Sequence, residues 1–402
     1  MDKLIEICEE KLQPYFKQLE DIALFNQNKV LQAFKDKKIA LRHFNGTNGY
    51  GYDDNGRDTL AKVYAQVFDA EKAIVSPNIV SGTHALTLGL FGILRPNDIF
   101  LSITGKPYDT LDDTINGSQI GSLKDFGVRF ESIELENGII NYPKIKDFIC
   151  KNTVKMVYLQ RSRGYEWRNA LSISEIKKAV DFLREIGFNG CIFVDNCYGE
   201  FVEKQEPTSV GADIIAGSLI KNPGGGLAVT GGYLAGKEKY ITLIENRLTS
   251  PSIGGEVGSY AYGYQYFYQG FFIAPHVVLQ ALKGNMLFGA VMKEKGYETS
   301  PNAYSIPYDI TRSVKLPTEQ KLIDFIQSIQ SFSPVDSFVT LYPWDMPGYN
   351  HQVIMAAGCF VQGSSLELSA DAPIKEPYIA YLQGGLTYEH CKIVLNDILN
   401  KI

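Results

Sequence analysis

The sequence predicts an α/β fold with a mostly parallel sheet and helices on both faces, plus a smaller α+β C-terminal domain. Short apolar runs alternate with helical periodicities through the middle of the chain, which is typical of a parallel sheet covered on both sides. The last part of the chain has more proline and a different pattern of predicted strands and helices. With 402 residues, 45% hydrophobic and 21% charged, the chain has the composition of a folded protein with two or three domains.

Residues 1–45 predict an N-terminal helical arm. Ile5, Cys8 and Leu12 fall on one helical face, and Pro14 is expected to interrupt the helix. From residue 43 to 58 the sequence becomes rich in Gly, Asn and Asp. Such a run predicts a long loop, and long loops in compact proteins are often functional.

Residues 46–285 are predicted to form the large α/β domain. Ser172 and Glu175 have the spacing of a capping box, so a helix is expected over 172–187; another is expected over 83–94. The predicted strands are the apolar runs at 72–76, 99–103, 155–160, 191–195, 213–217 and 231–235.

Residues 286–402 are predicted to form the small α+β domain. A helix is expected over 319–331 and a closing helix after residue 387. Strands are expected near 353–361 and 366–369.

Composition and charge exclude several classes of protein. The net charge is −6, from 39 basic and 45 acidic residues, and no basic run suggests a nucleic-acid partner. Apolar stretches such as 85–94 are shorter than the ~20 residues that span a bilayer, so no membrane segment is expected. The acidic, amphipathic N-terminus has no targeting features, which favours the cytoplasm, and the six cysteines are too sparse for a disulfide framework.

Asp195 and Lys221 are the residues that point most directly to chemistry. Asp195 closes a predicted core strand, at the end where open α/β sheets bind ligands. Lys221 follows the next strand between Ile220 and an Asn-Pro-Gly turn, an apolar setting expected to favour its neutral amine. A lysine that forms an imine and an aspartate that keeps a pyridine nitrogen protonated are the pair that pyridoxal phosphate enzymes require.

A phosphate site should accompany that pair. Ser81, Gly82 and Thr83 open a predicted helix, where backbone N–H groups and hydroxyls suit a phosphate dianion. Ser218, three residues before Lys221, could add another hydroxyl. Tyr108, after another predicted strand, could stack on a planar cofactor; the simpler interpretations are a helix cap for the Ser-Gly-Thr run and a partly buried loop tyrosine for Tyr108.

Other site types are not indicated. The glycines at 224–226 follow the lysine instead of preceding it, so there is no Walker-type phosphate loop, and the spacing in 49–56 does not fit a dinucleotide fingerprint. Cys191 and Cys197 lack accompanying histidines, so no metal site is expected.

The sequence resembles the methionine gamma-lyase-like family often labelled aluminium resistance proteins, a branch of the cystathionine-metabolising fold-type I pyridoxal phosphate enzymes. The strings that carry the resemblance extend over essentially the whole chain. They are GYGYDDNGRDTL (49–60), SGTHAL (81–86), GKPYDTL (105–111), QRSRGYEWR (160–168), VDNCYGEFVE (194–203), AGSLIKNPGGG (216–226), SPVDS (333–337), PWDMPGY (343–349) and LSADAPIKEPY (368–378).

The resemblance implies a fold-type I, transferase-like domain with a seven-stranded-type sheet. It also implies a homotetramer of tight dimers with shared active sites. Lys221 would form a Schiff base with pyridoxal 5'-phosphate, Asp195 would pair with its pyridinium and Tyr108 would stack on its ring. The phosphate would be held by Ser81, Gly82, Thr83 and Ser218. Tyr52 and Arg57 of the neighbouring subunit are the further candidates for the phosphate.

The substrate carboxylate has three candidates. Arg161 and Arg163 lie just after a predicted strand, and Lys375 occupies a position where the family resemblance leads us to expect arginine. Lysine cannot form the bidentate clamp that arginine makes with a carboxylate.

The reaction expected from these residues is carbon–sulfur bond cleavage in a methionine- or cystathionine-like amino acid. Cα deprotonation followed by β- or γ-elimination would give a thiol, a keto acid and ammonia. Two alternatives stay open: another pyridoxal phosphate enzyme of amino-acid metabolism, such as a transferase or an aminotransferase-like enzyme, and a non-catalytic protein of metal tolerance.

Overall fold

The computed structural model describes residues 2–346 and 351–401. The last three residues of the string at 343–349 lie outside this part of the chain.

The larger sheet has seven strands. They are β1 (Lys72–Ser76), β2 (Ile99–Ser102), β3 (Arg129–Ser132), β4 (Val154–Gln160), β5 (Cys191–Asp195), β6 (Ile214–Ser218) and β7 (Gly232–Gly236). Their order is β1-β7-β6-β5-β4-β2-β3. The strands from β6 to β3 are parallel, and β7 runs antiparallel to both β6 and β1. The mostly parallel sheet is therefore confirmed, and the six predicted strands lie within about two residues of their expected places.

Each central strand packs against a hydrophobic core on both of its faces, which explains its continuous apolar run. In β5, Ile192 and Val194 enter the larger hydrophobic core, while Cys191 and Phe193 enter a second core on the opposite face. Because successive side chains of a strand point to opposite faces, a strand covered on both sides needs apolar residues at every position.

Ten helices cover the sheets. They are α1 (Lys3–Asp36), α2 (Asn55–Val67), α3 (Gly82–Ile93), α4 (Asp109–Asn116), α5 (Tyr142–Lys151), α6 (Ile173–Glu185), α7 (Glu238–Leu248), α8 (Gln265–Glu294), α9 (Glu319–Ser331) and α10 (Tyr388–Lys401), counted over the described residues. Ser172 and Glu175 form the predicted capping box at the start of α6.

Two local predictions at the N-terminal end were wrong. Pro14 does not interrupt α1, because it is exposed while the buried stripe continues past it from Leu12 to Phe16 and the helix packs along α8. The loop predicted for 43–58 ends early, because the Asp54 carboxylate accepts a hydrogen bond from the Arg57 amide and caps α2, which begins at Asn55.

A separate antiparallel sheet forms the C-terminal part. Its strands are β8 (Thr299–Ser300), β9 (Thr311–Lys315), β10 (Val353–Ala356), β11 (Ser369–Pro373) and β12 (Ile379–Gln383), in the order β10-β11-β12-β9-β8. The strand expected at 366–369 begins only at Ser369. Alternate residues such as Ala370, Ala372 and Leu382 enter the core, which leaves the residues between them on the opposite face.

Helix α8 is 30 residues long and mostly buried. No segment was expected to be long and apolar enough to cross a membrane, but α8 meets both criteria. Of its most apolar window, 67% is buried inside the protein, as in a core helix. The predicted division at residues 285 and 286 falls inside α8, and the assignment of domains stays a prediction.

Candidate active site

A cavity of about 480 Å³ lies between the two sheets. One wall is built at the carboxyl ends of the parallel strands β2, β4, β5 and β6, where such sheets place their ligands. The opposite wall is the outer face of the small sheet. The residues that line the cavity include Tyr108, Gln160, Arg163, Asp195, Cys197, Tyr198, Lys221, Asp371, Lys375, Tyr381 and Gln383.

Asp195 ends β5 on the cavity floor, with only 4% of its surface exposed. Its Oδ1 accepts a hydrogen bond from the Cys197 amide at 3.1 Å, and its Oδ2 accepts one from the Tyr158 hydroxyl at 3.4 Å. Burial raises the pKa of this carboxyl group, while the nearby Lys221 ammonium acts in the opposite direction. A buried carboxylate fixed in this way is suited to hold a cationic partner.

Lys221 lies beyond the end of β6 and faces the same cavity. Its Nζ is 4.1 Å from the centroid of the Tyr198 ring. Burial lowers the pKa of the ammonium, but Cys197, Tyr198, Tyr108 and Asp195 raise it, and the result is a pKa well above the usual value. The prediction of an apolar setting was wrong, because the side chain reaches past its apolar neighbours into a cavity that Asp195, Tyr108 and Tyr198 also line.

Tyr198 connects the lysine to the C-terminal part of the chain. Its backbone has the left-handed conformation, φ 70°, which is uncommon for a residue with a bulky side chain. Its hydroxyl lies 3.1 Å from Ser365 Oγ, and the neighbouring Ser364 hydroxyl donates to the Ile220 carbonyl at 2.9 Å. Two adjacent serines between β10 and β11 thus contact the backbone next to Lys221 and the hydroxyl of the tyrosine whose ring lies beneath its Nζ.

The residues predicted for phosphate binding come together at the start of α3. Ser81 caps this helix by accepting a hydrogen bond from the His84 amide at 3.0 Å. Thr83 Oγ1 lies 2.5 Å from the Tyr108 hydroxyl. A Cβ added to Gly82 would lie 3.3 Å from Ser218 Cβ, so glycine allows α3 and the end of β6 to approach closely.

This arrangement fits pyridoxal phosphate. The helix N-terminus offers backbone donors to an anion, the hydroxyls of Thr83 and Ser218 lie beside it, and Asp195 and Lys221 line the adjoining cavity. Gln160 accepts a hydrogen bond from the Tyr108 amide at 2.8 Å and so fixes the tyrosine at the cavity wall. All these groups come from elements of the seven-stranded sheet and its helices in one chain.

The two arginines after β4 lie in different places. Arg161 is fully buried and saturated by its own chain: its guanidinium bonds Asn196, Gly199 and the Glu203 carboxylate, the last at 2.8 Å, and it is not among the residues that line the cavity. Arg163 does line the cavity with 1% of its surface exposed, and its Nε and Nη2 have no hydrogen-bond partner among the described residues.

The remaining contacts of Arg163 hold it in place. Its Nη1 donates to Ser300 and Ser313 on the small sheet, and its Nε lies 3.8 Å from the Asp309 carboxylate. Lys375, by contrast, is exposed at the edge of the cavity.

Tyr52 and Arg57 are not on the cavity wall of their own chain. Tyr52 is 61% exposed. Arg57 is buried in α2 and donates to the carbonyls of Gly51 and Gly258, which ties two loops together. Neither position conflicts with a role in the site of a neighbouring subunit.

Sequence reasoning missed several residues of the cavity. Tyr198 was missed because no sequence signal indicates that its backbone has the left-handed conformation. Asp371 and Gln383 belong to strands β11 and β12, where the alternation of small apolar and polar residues was the available signal. Gln383 donates a hydrogen bond of 2.8 Å to the Asp371 carboxylate.

The chain is similar to several known proteins. A family model described as methionine gamma-lyase matches residues 1–402. The chain is 51% identical, over 94% of its length and 90% of the relative's, to the uncharacterised protein YnbB of Bacillus subtilis.

Two solved structures are similar over nearly their whole length. A carbon-sulfur lyase involved in aluminium resistance from Clostridium novyi is 50% identical, with a TM-score of 0.95 over 99% of this chain and 95% of that one. A candidate cystathionine beta-lyase involved in aluminium resistance from Listeria monocytogenes is 50% identical, with a TM-score of 0.97 and full coverage of both chains. The distant pyridoxal-5'-phosphate dependent protein YhfS from Escherichia coli, 14% identical with a TM-score of 0.64 over 96% of this chain and 97% of that one, shares the fold.

Proposed function

Because the chain belongs to the methionine gamma-lyase family, we propose that it is a pyridoxal phosphate-dependent lyase that cleaves a carbon–sulfur bond of an amino acid. The products would be a thiol, a keto acid and ammonia. The observation that carries this proposal is the meeting of Lys221, Asp195 and Tyr108 in one cavity, next to the N-terminus of α3.

The residues have distinct tasks in holding the cofactor. When bound, pyridoxal phosphate supplies an electron sink for the carbanion formed at the substrate Cα. Lys221 would hold the cofactor covalently, Asp195 would keep its ring nitrogen protonated, and Tyr108 would stack on the ring. Ser81, Gly82, Thr83 and Ser218 would hold the phosphate, because they meet where the N-terminus of α3 approaches the end of β6.

Lys221 is also the proposed general base for the Cα proton. Once its amine is free, Lys221 lies in the same cavity as Asp195 and Tyr108 and can take up the proton. The Tyr198 ring, 4.1 Å from Nζ, stabilises the ammonium that results.

Arg163 is the proposed partner of the substrate α-carboxylate. Its Nε and Nη2 are buried and have no hydrogen-bond partner among the described residues, and unsatisfied buried donors are costly unless a ligand pairs with them. Arg161 bonds its own chain through all three guanidinium nitrogens and lies outside the cavity lining, and Lys375 lies exposed at the edge.

The decisive test of the proposed function is the release of thiol and keto acid from sulfur amino acids by the purified holoprotein. We expect visible absorbance from the lysine-bound cofactor in the wild type, and its loss together with activity in Lys221→Ala. Lys178→Ala, which changes an exposed lysine of α6, is the control and should retain both. A wild-type protein without the absorbance, or Lys221→Ala protein that keeps it, contradicts the proposal.

The role of Arg163 predicts a specific kinetic change. Arg163→Lys keeps the charge but removes the bidentate donor pair, so we expect KM for the amino acid to rise about 10- to 100-fold, as for loss of a charged hydrogen bond. The cofactor absorbance should not change. A similar rise in Lys375→Ala, with Arg163→Lys unaffected, would transfer the role to Lys375.

A further inference from the structure

The loop between β10 and β11 (357–368, the β10–β11 loop) reaches the turn that carries the catalytic lysine. Ser364 donates to the Ile220 carbonyl at 2.9 Å, and Ser365 Oγ lies 3.1 Å from the Tyr198 hydroxyl. Ile220 directly precedes the lysine in sequence, and the Tyr198 ring lies beneath its amine. One loop of the small sheet therefore contacts the lysine's surroundings from two sides.

A buried carboxylate fixes the shape of this loop. Glu367 is 2% exposed, and it accepts hydrogen bonds from the amides of Phe360 and Val361 at 2.8 and 2.9 Å. The Ser364 amide donates to the Val361 carbonyl at 2.9 Å, and the Cys359 thiol donates to the Ser364 carbonyl at 3.5 Å. Because hydrogen bonds to a carboxylate are stronger than neutral ones, we expect the loop to present its two serines in a fixed arrangement.

The backbone of Tyr198 is held in an unfavourable conformation. Its φ of 70° lies in the left-handed region, which is strained for a bulky residue and persists only where the surrounding structure imposes it. In this conformation the ring lies against the Lys221 amine and the hydroxyl reaches Ser365. Glycine would relieve the strain but would lack the ring, which indicates a task for this side chain.

The Lys221 amine has few other constraints. Over the described residues its Nζ makes no hydrogen bond or ion pair, and it lies 4.1 Å from the centroid of the Tyr198 ring. The four-carbon stem of a lysine is flexible, so the position of the amine depends on such a contact. The far end of the ring is in turn fixed by Ser365.

We propose that Tyr198 and Ser365 are positioning residues for Lys221, through which the β10–β11 loop orients the lysine amine toward the substrate Cα. This inference rests on the proposed function, in which Lys221 takes the Cα proton, and it names the part of the small sheet that controls this step. Both residues act through the position of Nζ.

Exchange of the Cα proton with solvent deuterium measures this step by itself. L-Norleucine has no leaving group on its side chain, so the holoprotein can take its Cα proton and return a deuteron without elimination. Proton NMR gives the exchange rate at saturating norleucine, and its concentration dependence gives the affinity. Tyr198→Phe and Ser365→Ala remove the same hydrogen bond from opposite sides. Each should lower the saturated rate about 2- to 10-fold, with norleucine affinity and cofactor absorbance unchanged.

The double variant tests whether the two residues act through one bond. Tyr198→Phe combined with Ser365→Ala should be no slower than either single variant, because the second change removes a bond already lost. Ser331→Ala is the matched control, since this exposed serine of α9 donates to the Ser328 carbonyl at 2.9 Å, and it should exchange at the wild-type rate. Wild-type rates in both single variants, or effects that multiply in the double variant, overturn the inference.

The pH profile of exchange tests the contact between ring and amine. The ring favours the ammonium form of Lys221, so Tyr198→Leu should lower the pKa of the free amine. The acid limb of the profile should then move to lower pH by about 0.4 to 1.5 pH units. Tyr198→Phe keeps the ring and should leave the limb in place. An unmoved limb in Tyr198→Leu would contradict the proposed contact.

Thiol release separates this inference from the proposed function. If the wild type releases thiol from sulfur amino acids and both single variants exchange at its rate, the lyase proposal stands and the positioning role is wrong. If the variants exchange more slowly than the wild type but no thiol is released, the positioning role is supported and the lyase proposal fails. A wild type without exchange and without cofactor absorbance contradicts both.

Discussion

Glu200 shows how the site is supported by groups that never reach the substrate. Its side chain is fully buried, its Oε1 accepts a 2.8 Å hydrogen bond from the Tyr233 hydroxyl, and its Oε2 has no partner among the described residues. Burial raises its pKa from 4.5 to about 8. The carboxyl group is therefore mostly protonated near neutral pH.

This raised pKa predicts a pH-dependent stability. Between pH 4.5 and 8 the folded state binds the proton more tightly than the unfolded state, so the contribution of Glu200 is complete below about 4.5 and is lost as the pH rises through about 8. Glu200→Gln cannot ionise and should flatten this decline by a few kcal/mol. Urea unfolding of both proteins from pH 5 to 9 measures it, with the exposed Glu185→Gln as control; parallel curves for Glu200→Gln and the wild type would contradict the assignment.

Sequence reasoning at the residue scale reached Asp195, Lys221 and Tyr108 because they follow strands, and the ends of parallel strands meet at one edge. It could not separate Arg161 from Arg163, since the direction in which the chain turns after β4 decides which guanidinium enters the interior. Asp371 was missed because the predicted strand ended before it.

At the scale of elements, α1 carries the clearest prediction. Pro14 lies inside this helix on its exposed side, where it removes one backbone hydrogen bond without disturbing the buried stripe. Pro14→Ala should restore the hydrogen bond and raise stability by about 1–3 kcal/mol. Chemical unfolding is the measurement, and Gln13→Ala, at the exposed neighbouring position, should change stability by less than about 0.5 kcal/mol. A variant at Pro14 that is less stable than the wild type would show that the proline relieves strain.

A continuous apolar run made β5 predictable, and a capping box with an apolar stripe made α6 predictable. Strand β5 and helix α6 were found at their observed places. Strand β3 is the outermost strand of its sheet, and its sequence Arg-Phe-Glu-Ser has no apolar run because an edge strand is covered less.

At the scale of the whole molecule, the loops at 46–54 and 257–264 present an aromatic surface. Ser259 donates to the Gly49 carbonyl at 2.8 Å and joins the two loops. Tyr50, Tyr52 and Tyr262 are 72%, 61% and 90% exposed, and exposed apolar patches of this kind mark interaction surfaces. We propose that a second copy of the chain covers this surface, within the tetramer that the family resemblance implies.

Shared active sites can be tested with two defective chains. Tyr52→Ala and Lys221→Ala should each be poorly active alone. When they are co-expressed with different tags and purified as the mixed oligomer, one site per mixed pair contains both wild-type residues, so activity should return. A mixed oligomer no more active than its parents would place Tyr52 outside the neighbouring site, and a monomer in sedimentation analysis would contradict the assembly.

Helix α8 determines how the protein is expected to unfold. It packs along α1 and α10 and contacts β9 of the small sheet and the turn after Lys221. The same helix therefore supports both walls of the cavity. Neither half has a complete core without it, since its buried residues run from Phe267 to Met292. The protein should therefore melt in a single calorimetric transition, and limited proteolysis should not release a stable fragment that ends near residue 285. The two sheets would then unfold as one cooperative unit. A substitution that destabilises the small sheet would therefore also destabilise the part of the large sheet that positions Lys221.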